Sequence, residues 1–282
     1  MKLQNILGIL VVISVVLALI TPVLMVTINK RYTQQQGFVE FIESFMNKLV
    51  PYRNVICHYE YNVSKGLNVV IEISGGSIEV KHGIEAHKSK VVIYESSGIM
   101  LGFMRFRGLK RYNVDYDVKS NVLKVNVRGY HVELLIPRSI KSIRLYVNGG
   151  IAKLDIRSSE LKSLEANLSS GTLEFGVRGA ECLNLTIDVS GGIIDGNLEL
   201  QPYTGTSNVT LSLSGGAMSL NLKIPSSIKV KCNGIVSAGI ASVNINGIEA
   251  QHYIDMGYDK AHSKLHIMYR VSSGVADIKI SR

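Results

Sequence analysis

The sequence predicts an all-β protein, a repetitive β-solenoid, preceded by an N-terminal transmembrane helix and a short amphipathic helix. Three observations predict it. A strand–corner–strand pattern recurs seven times across 69–282, an uncharged apolar run covers 6–28, and one stretch of helical periodicity follows that run. The domain reading is a short tail at 1–5, an anchor at 6–28, a linker, amphipathic helix and entry segment at 29–68, and the repetitive domain at 69–282.

Each copy of the pattern reads apolar–x–apolar, then Ser or Asn, a small residue, Gly, one spacer and apolar–x–apolar. The clearest are Val69 to Val80 around Ser74-Gly75-Gly76 and Val209 to Leu220 around Ser214-Gly215-Gly216. The others centre on Asn148-Gly149-Gly150, Ser169-Ser170-Gly171, Ser190-Gly191-Gly192, Ser237-Ala238-Gly239 and Ser272-Ser273-Gly274. Side chains alternate faces along a strand, so apolar residues at every second position line one buried face. The inward residues flanking each corner are five apart: Ile73/Ile78, Val147/Ala152, Leu168/Leu173, Val189/Ile194, Leu213/Met218, Val236/Ala241 and Val271/Ala276. Gly76, Gly150, Gly171, Gly192, Gly216, Gly239 and Gly274 therefore read as corner glycines that serve the backbone, not a ligand. The period of two and the Val, Ile and Ser-Gly content argue against helix.

From Gly150 onward the corner glycines are separated by 21, 21, 24, 23 and 35 residues, and the last interval leaves room for an insertion around Gln251 to Lys264. A fixed period of this length points to stacked repeats, because one unit cannot bury its apolar face alone. An ordinary β-sandwich is the competing reading; the constant phase of the corner favours the solenoid.

Leu135-Ile136-Pro137-Arg138-Ser139-Ile140 and Lys223-Ile224-Pro225-Ser226-Ser227-Ile228 share a second signature, in which Pro precedes a new strand. Apolar-Pro-x-x-Ile followed by strands broken at Ser-Gly-Gly corners resembles the putative-adhesin or toast-rack β-solenoid domains of prokaryotic envelope proteins. The resemblance covers about Val69 to Arg282 and departs at the irregular stretch Lys81 to Asp117 and at the long final interval. It implies a repetitive β fold and a cell-surface setting, and brings no catalytic residues.

Ile6 to Ile28 is 23 residues without a charge, and about 20 apolar residues span a bilayer as a helix. A retained single-pass anchor is favoured over a cleaved signal peptide, whose apolar region is shorter and ends in a small-x-small site that is not evident here. Lys2 before the run and Lys30 and Arg31 after it leave the positive-inside rule near a tie, or leaning toward a cytoplasmic body. Asn62, Asn167, Asn184 and Asn208 are candidate glycosylation acceptors, three of them at outward repeat positions, although two or three sequons are expected by chance in a chain of this size. The expected location, cell membrane with the bulk of the chain extracytoplasmic, follows mainly from the resemblance.

Between anchor and repeat, Phe38, Phe41, Ile42, Phe45 and Leu49 share one helical face before Pro51. This helix either caps the first rung or continues the anchor as a stalk; solenoid ends need caps, which favours the first.

The remaining residues give little chemistry. No phosphate-binding glycine motif, nucleophile elbow or Cys/His pairing stands out. His262 and His266 would meet only in a helical insertion and lack a third ligand. Asp255, Asp259 and Glu249 read as a solvated acidic loop. Cys57, Cys182 and Cys232 fit no zinc spacing; Cys182 is expected to be exposed and Cys232 buried. With 31 Lys+Arg against 22 Asp+Glu the net charge is +9, and its densest cluster, Arg105, Arg107, Lys110 and Arg111, is a candidate polyanion surface beside its plainer reading as a solvated strand face. No cofactor, no metal and no nucleic acid are expected. The leading expectation is a non-enzymatic, membrane-anchored structural or interaction module, with surface glycan, anionic lipid or another envelope protein as partner. The alternatives are an envelope-stress regulator that binds a partner sensor or lipid, and an enzyme acting on envelope polysaccharide.

Overall fold

A computed structural model describes residues 55–83, 87–94 and 111–282. The expected anchor at 6–28, the amphipathic helix from Phe38 to Leu49, and Arg105, Arg107 and Lys110 lie outside the described residues. The described residues are all-β, with one 3-10 turn at Tyr258–Lys260. In chain order the strands are β1 (Val55–Asn62), β2 (Leu67–Ile73), β3 (Gly76–His82), β4 (Lys88–Tyr94), β5 (Arg111–Asp117), β6 (Val122–Arg128) and β7 (Tyr130–Ile136). They continue as β8 (Ile140–Arg157), β9 (Ser163–Ala180), β10 (Asn184–Val189), β11 (Ile193–Leu200), β12 (Gly205–Leu213) and β13 (Ala217–Lys223). The last are β14 (Lys229–Val236), β15 (Ile240–Ile245), β16 (Ile248–Glu249), β17 (His252–Ile254), β18 (Ser263–Val271) and β19 (Val275–Ser281).

Eight rungs are built from these strands, each with a first arm, a corner and a second arm. In chain order they are β2–β3, β6–β7, β8, β9, β10–β11, β12–β13, β14–β15 and β18–β19; β8 and β9 run through their corners unbroken. Seven corners are the predicted ones. The eighth, Arg128-Gly129-Tyr130 in the second rung, escaped the sequence pattern because Tyr130 stands in register with Gly76. The five-residue spacing survives there, with Val127 and Val132 both buried.

Neighbouring rungs are parallel, and inward residues stack in register: Leu168 on Val189 and Val189 on Leu213. Six of the seven predicted inward pairs are at most 3% exposed; Val236/Ala241, on an end rung, is half-buried. Two core-facing glycines leave room for aromatics of an adjacent rung. Gly196 lies against Phe175 and Leu220, and a Cβ on Gly234 would fall 1.7 Å from the Tyr269 ring.

The spatial order departs from the chain order at both ends. The first rung lies between the second and third, since β2 pairs with β6 and β8, and β3 with β7 and β8. The eighth lies between the sixth and seventh, since β18 pairs with β12 and β14, and β19 with β13 and β15. The chain's final strand is thus paired on both edges. The stretch read as irregular, Lys81 to Asp117, supplies end strands: β5 closes the second rung's first arm and β4, backed by β1, its second arm, all antiparallel. Tyr59, Tyr61, Tyr112 and Tyr116 from β1 and β5 pack over the core there, with Tyr61 and Tyr116 rings 5.6 Å apart and Tyr112 edge-on to Tyr130 at 5.5 Å. At the other end β17 and β16 pair antiparallel with β14 and β15. The insertion expected around Gln251 to Lys264 is extended with a 3-10 turn, so His262 and His266 are not brought together by a helix.

Corner chemistry explains the repeat. At the fifth-rung corner Leu168 O accepts both the Ser190 N–H (2.9 Å) and its hydroxyl (3.5 Å); at the sixth, Val189 O accepts both from Ser214, at 2.8 and 3.3 Å. The glycine that follows lies against the neighbouring rung's glycine. Gly192 O accepts the Ala217 N–H at 2.9 Å, and that same oxygen would lie 2.2 Å from a Cβ on Gly216. The contact recurs from Gly76 to Gly239 in spatial order, and each virtual Cβ points toward the preceding rung. Among the described residues Tyr130 begins the column, with no rung before it, so a side chain fits.

Gly171 has φ +103° and would place a Cβ 2.3 Å from Gly150 O, whereas Gly66, at φ +78°, has open space around it. Gly66→Ala should therefore cost left-handed strain alone, about 1–3 kcal/mol, and Gly171→Ala distinctly more, because the neighbouring carbonyl must move. Melting temperatures of the two variants test this; equal losses would show that the approach of the rungs does not dictate glycine.

Candidate functional site

Because inward positions form the core, any recognition must use outward side chains. On the first arms one outward column runs Glu72, Tyr146, Asn167, Asp188, Ser212, Arg270 and Ile235, each directly opposite the next. Two shallow clefts flank it and share Asp188. One is lined by Tyr146, Asn148, Asn167, Ser169 and Ser190, the other by Ser212, Ser214, Arg270 and Ser272. Tyr146 is 37% exposed, and Asp188 and Arg270 are exposed. Asn167 donates to Glu165 Oε1 at 3.2 Å.

The outward face of the second arms is more self-satisfied. Register places Glu79 opposite Glu133 and Glu174 opposite Asp195, carboxylate neighbours that sequence reasoning did not find because their strands are 21 or 54 residues apart. Glu133 accepts the Tyr94 hydroxyl at 2.9 Å, Glu79 pairs with Lys81 at 2.8 Å, and Glu174 pairs with Lys153 at 3.2 Å. Burial, and secondarily Glu174, holds the Asp195 carboxyl above the usual range. Among the described residues no three His, Cys, Asp or Glu side chains converge on a metal-sized site.

The other predicted residues are dispersed. Arg111 is exposed on β5, opposite the exposed Arg128. Asn62 and Asn184 are exposed, Asn167 and Asn208 half-covered, and Asn208 Nδ2 donates to Asn184 Oδ1 at 3.0 Å. Cys232 is buried, which pushes its thiol up to about 12. Cys182, expected to be exposed, is half-buried, and its thiol donates to Thr206 O at 3.2 Å; the turn before β10 folds it onto the core. All three cysteines are free thiols.

Asp255 is not a solvated loop residue. It is 7% exposed and accepts the Val230 N–H at 2.7 Å, the Tyr253 hydroxyl at 2.9 Å and the Arg282 guanidinium. Burial opposes its charge, but these donors outweigh burial and hold the carboxyl below its ordinary range. Nothing in the local sequence signals this: the partner, Arg282, lies 27 residues further on, and insertion of the eighth rung brings it beside the end of β17.

No family model matches the chain, and no curated protein matches it. Among solved structures the chain is similar to a "putative cell adhesion protein" from Clostridium sporogenes, at 16% identity over 81% of this chain and 100% of that one, TM-score 0.42. It is also similar to a "putative adhesin" from Bacteroides fragilis, at 13% identity over 82% and 99%, TM-score 0.33. A third is a "putative lipid binding protein" from Parabacteroides distasonis, at 12% identity over 80% and 96%, TM-score 0.29.

Two stability predictions arise here. Burial holds the pKa values of His82, His131 and His266 below the ordinary value, with Lys231 adding to the effect at His266. His82 Nε2 also accepts the Arg157 backbone N–H, which a protonated ring cannot do. The fold therefore favours neutral rings. Their contribution is complete above the unfolded value, about 6.5, and is lost as pH falls through the lower folded values. The melting temperature of the full chain should drop between about pH 7.5 and pH 5; a flat profile would refute the assignment. Separately, Arg282→Ala should destabilise by about 1–3 kcal/mol, because it strips a largely buried carboxylate of its counter-ion. The loss should be greater than that from Lys223→Ala, which breaks the exposed Lys223–Glu199 pair. Chemical denaturation of both variants gives the comparison.

Proposed function

We propose that the chain is a non-catalytic, membrane-anchored β-solenoid of the adhesin-like, toast-rack kind, with its bulk outside the cytoplasm and serving as a surface interaction module. The observation that carries this reading is the outward column from Tyr146 to Arg270. Five rungs of a regular stack present different side chains beside two open clefts. Such a surface suits an extended partner better than a small substrate, which is usually enclosed by a concave, largely apolar pocket. The 23-residue uncharged run at 6–28 supports the anchor. The second-arm carboxylates lend little to an enzymatic reading, since most are engaged by Lys or Tyr.

Protease added to intact cells should degrade the body beyond Lys30; full protection with an intact envelope would reverse the orientation. For the interaction role, the full chain in lipid nanodiscs should be retained on cell-envelope preparations. Asp188→Ala should weaken that retention with an unchanged melting temperature. Retention equal to the parent would remove this face as the working surface.

A further inference from the structure

We propose that the first-arm column from Tyr146 to Arg270 is a groove for an extended, carboxylate-bearing polysaccharide lying across the rungs. The inference rests on the interaction-module reading and names the ligand class of the same face. Tyr146, Asn167, Asp188, Ser212 and Arg270 occupy five consecutive rungs in space. At the strand spacing of about 4.8 Å they span about 19 Å.

The chemistry of the column narrows the occupant. The exposed Asp188 carboxylate and Arg270 guanidinium stand two rungs apart, with only Ser212 between them, and neither is paired with another described side chain. A carboxylate in an open cleft accepts hydroxyl donors through both oxygens, and Asn167 and Ser212 each donate and accept. Tyr146 offers an aromatic face to the apolar C–H surface of a sugar ring and a hydroxyl to its edge. The planar fork of Arg270 matches a carboxylate on the ligand. Other polymers fit less well. A nucleic acid carries a phosphate on every nucleotide and needs several cations along them, whereas the column supplies one, enough for a single carboxylate on a sugar chain. An extended peptide binds through free strand edges, but this face belongs to strands whose backbone groups are used within the ladders. A bilayer surface calls for clustered Lys and Arg, and the column holds a single Arg.

The test uses the full chain in detergent micelles and a panel of immobilised oligosaccharides of several sugars, with and without uronic-acid or sialic-acid carboxylates. The expected result is retention on carboxylate-bearing members over neutral ones. Tyr146→Ala and Asp188→Ala should each weaken binding about tenfold or more, the scale of one or two lost hydrogen bonds to a charged or stacked group. Arg270→Gln should erase the preference for acidic over neutral members. Asn221→Ala, on the outward face of the second arms, should leave binding unchanged, and all four variants should keep the parent melting temperature. Retention of no oligosaccharide, retention indifferent to these variants, or an acidic preference that survives Arg270→Gln would overturn the proposal. If no oligosaccharide binds while Asp188→Ala still loses envelope retention, the polysaccharide falls and the interaction-module reading stands.

Discussion

The structure depends on how closely one rung's corner can approach the next. Hydrogen bonding across the corner needs a carbonyl close to the neighbouring N–H, as where Gly192 O accepts from Ala217. The same closeness leaves no space for a Cβ at the following corner position. A single geometric requirement thus selects glycine at one position and a hydroxyl at another. The Ser190 and Ser214 hydroxyls reinforce backbone bonds to carbonyls of the preceding rung. Once corners are fixed in register, the alternation along both arms is fixed too. A slip of one residue would turn every inward Leu, Ile and Val to solvent. The core therefore grows as a column of equivalent sites, each rung burying the apolar face of its neighbour.

A stack of parallel strands has two open ends, and free strand edges invite pairing with other chains. Here the ends are handled by exchange and by reversal. The first and eighth rungs are each inserted one place inward, so the last strand of the chain is covered on both edges. The end rungs then receive antiparallel strands from nearby sequence: β4 and β5 at one end, β16 and β17 at the other. The two closures differ in extent. Strands β5 and β4 cover most of the second rung and bring a set of tyrosines over the core. Strands β16 and β17 pair with only a few residues of the seventh rung, which is why Val236 and Ala241 remain half-buried where the other seven equivalent pairs are sealed. The Asp255–Arg282 pair braces this lighter end by joining the insertion to the final residue.

What was legible in the sequence follows from these constraints. Corners and inward sites repeat because every internal rung faces the same neighbours, so seven of the eight rungs could be read from one pattern. The eighth corner was invisible because Tyr130 begins the column and is freed from the rule that produces the pattern. The exchange of end rungs left no trace, because β18 has the same alternation wherever it docks. Asp255 looked like loop chemistry for the same reason: its burial depends on a partner placed by that exchange. The candidate groove was hidden differently. Its residues lie 21, 21, 24 and 58 positions apart, so only the pairing register shows that they form one line.

The contrast between neighbouring columns bears on function. Near the corner the outward residues are Asn148, Ser169, Ser190, Ser214 and Ser272, nearly uniform in type, and the Ser169, Ser190 and Ser214 hydroxyls donate to backbone carbonyls of the preceding rung. Two residues earlier on each first arm they are Tyr146, Asn167, Asp188, Ser212 and Arg270, with aromatic, amide, carboxylate, hydroxyl and guanidinium in turn. Nothing in rung stacking calls for that variety, since a strand tolerates many residues at an outward position. The pairing register holds these unlike groups at a fixed spacing, so on the proposed reading a partner would find them already arranged, with little ordering cost at binding. The repeat builds the frame, and the proposed recognition uses the positions at which the repeat lapses.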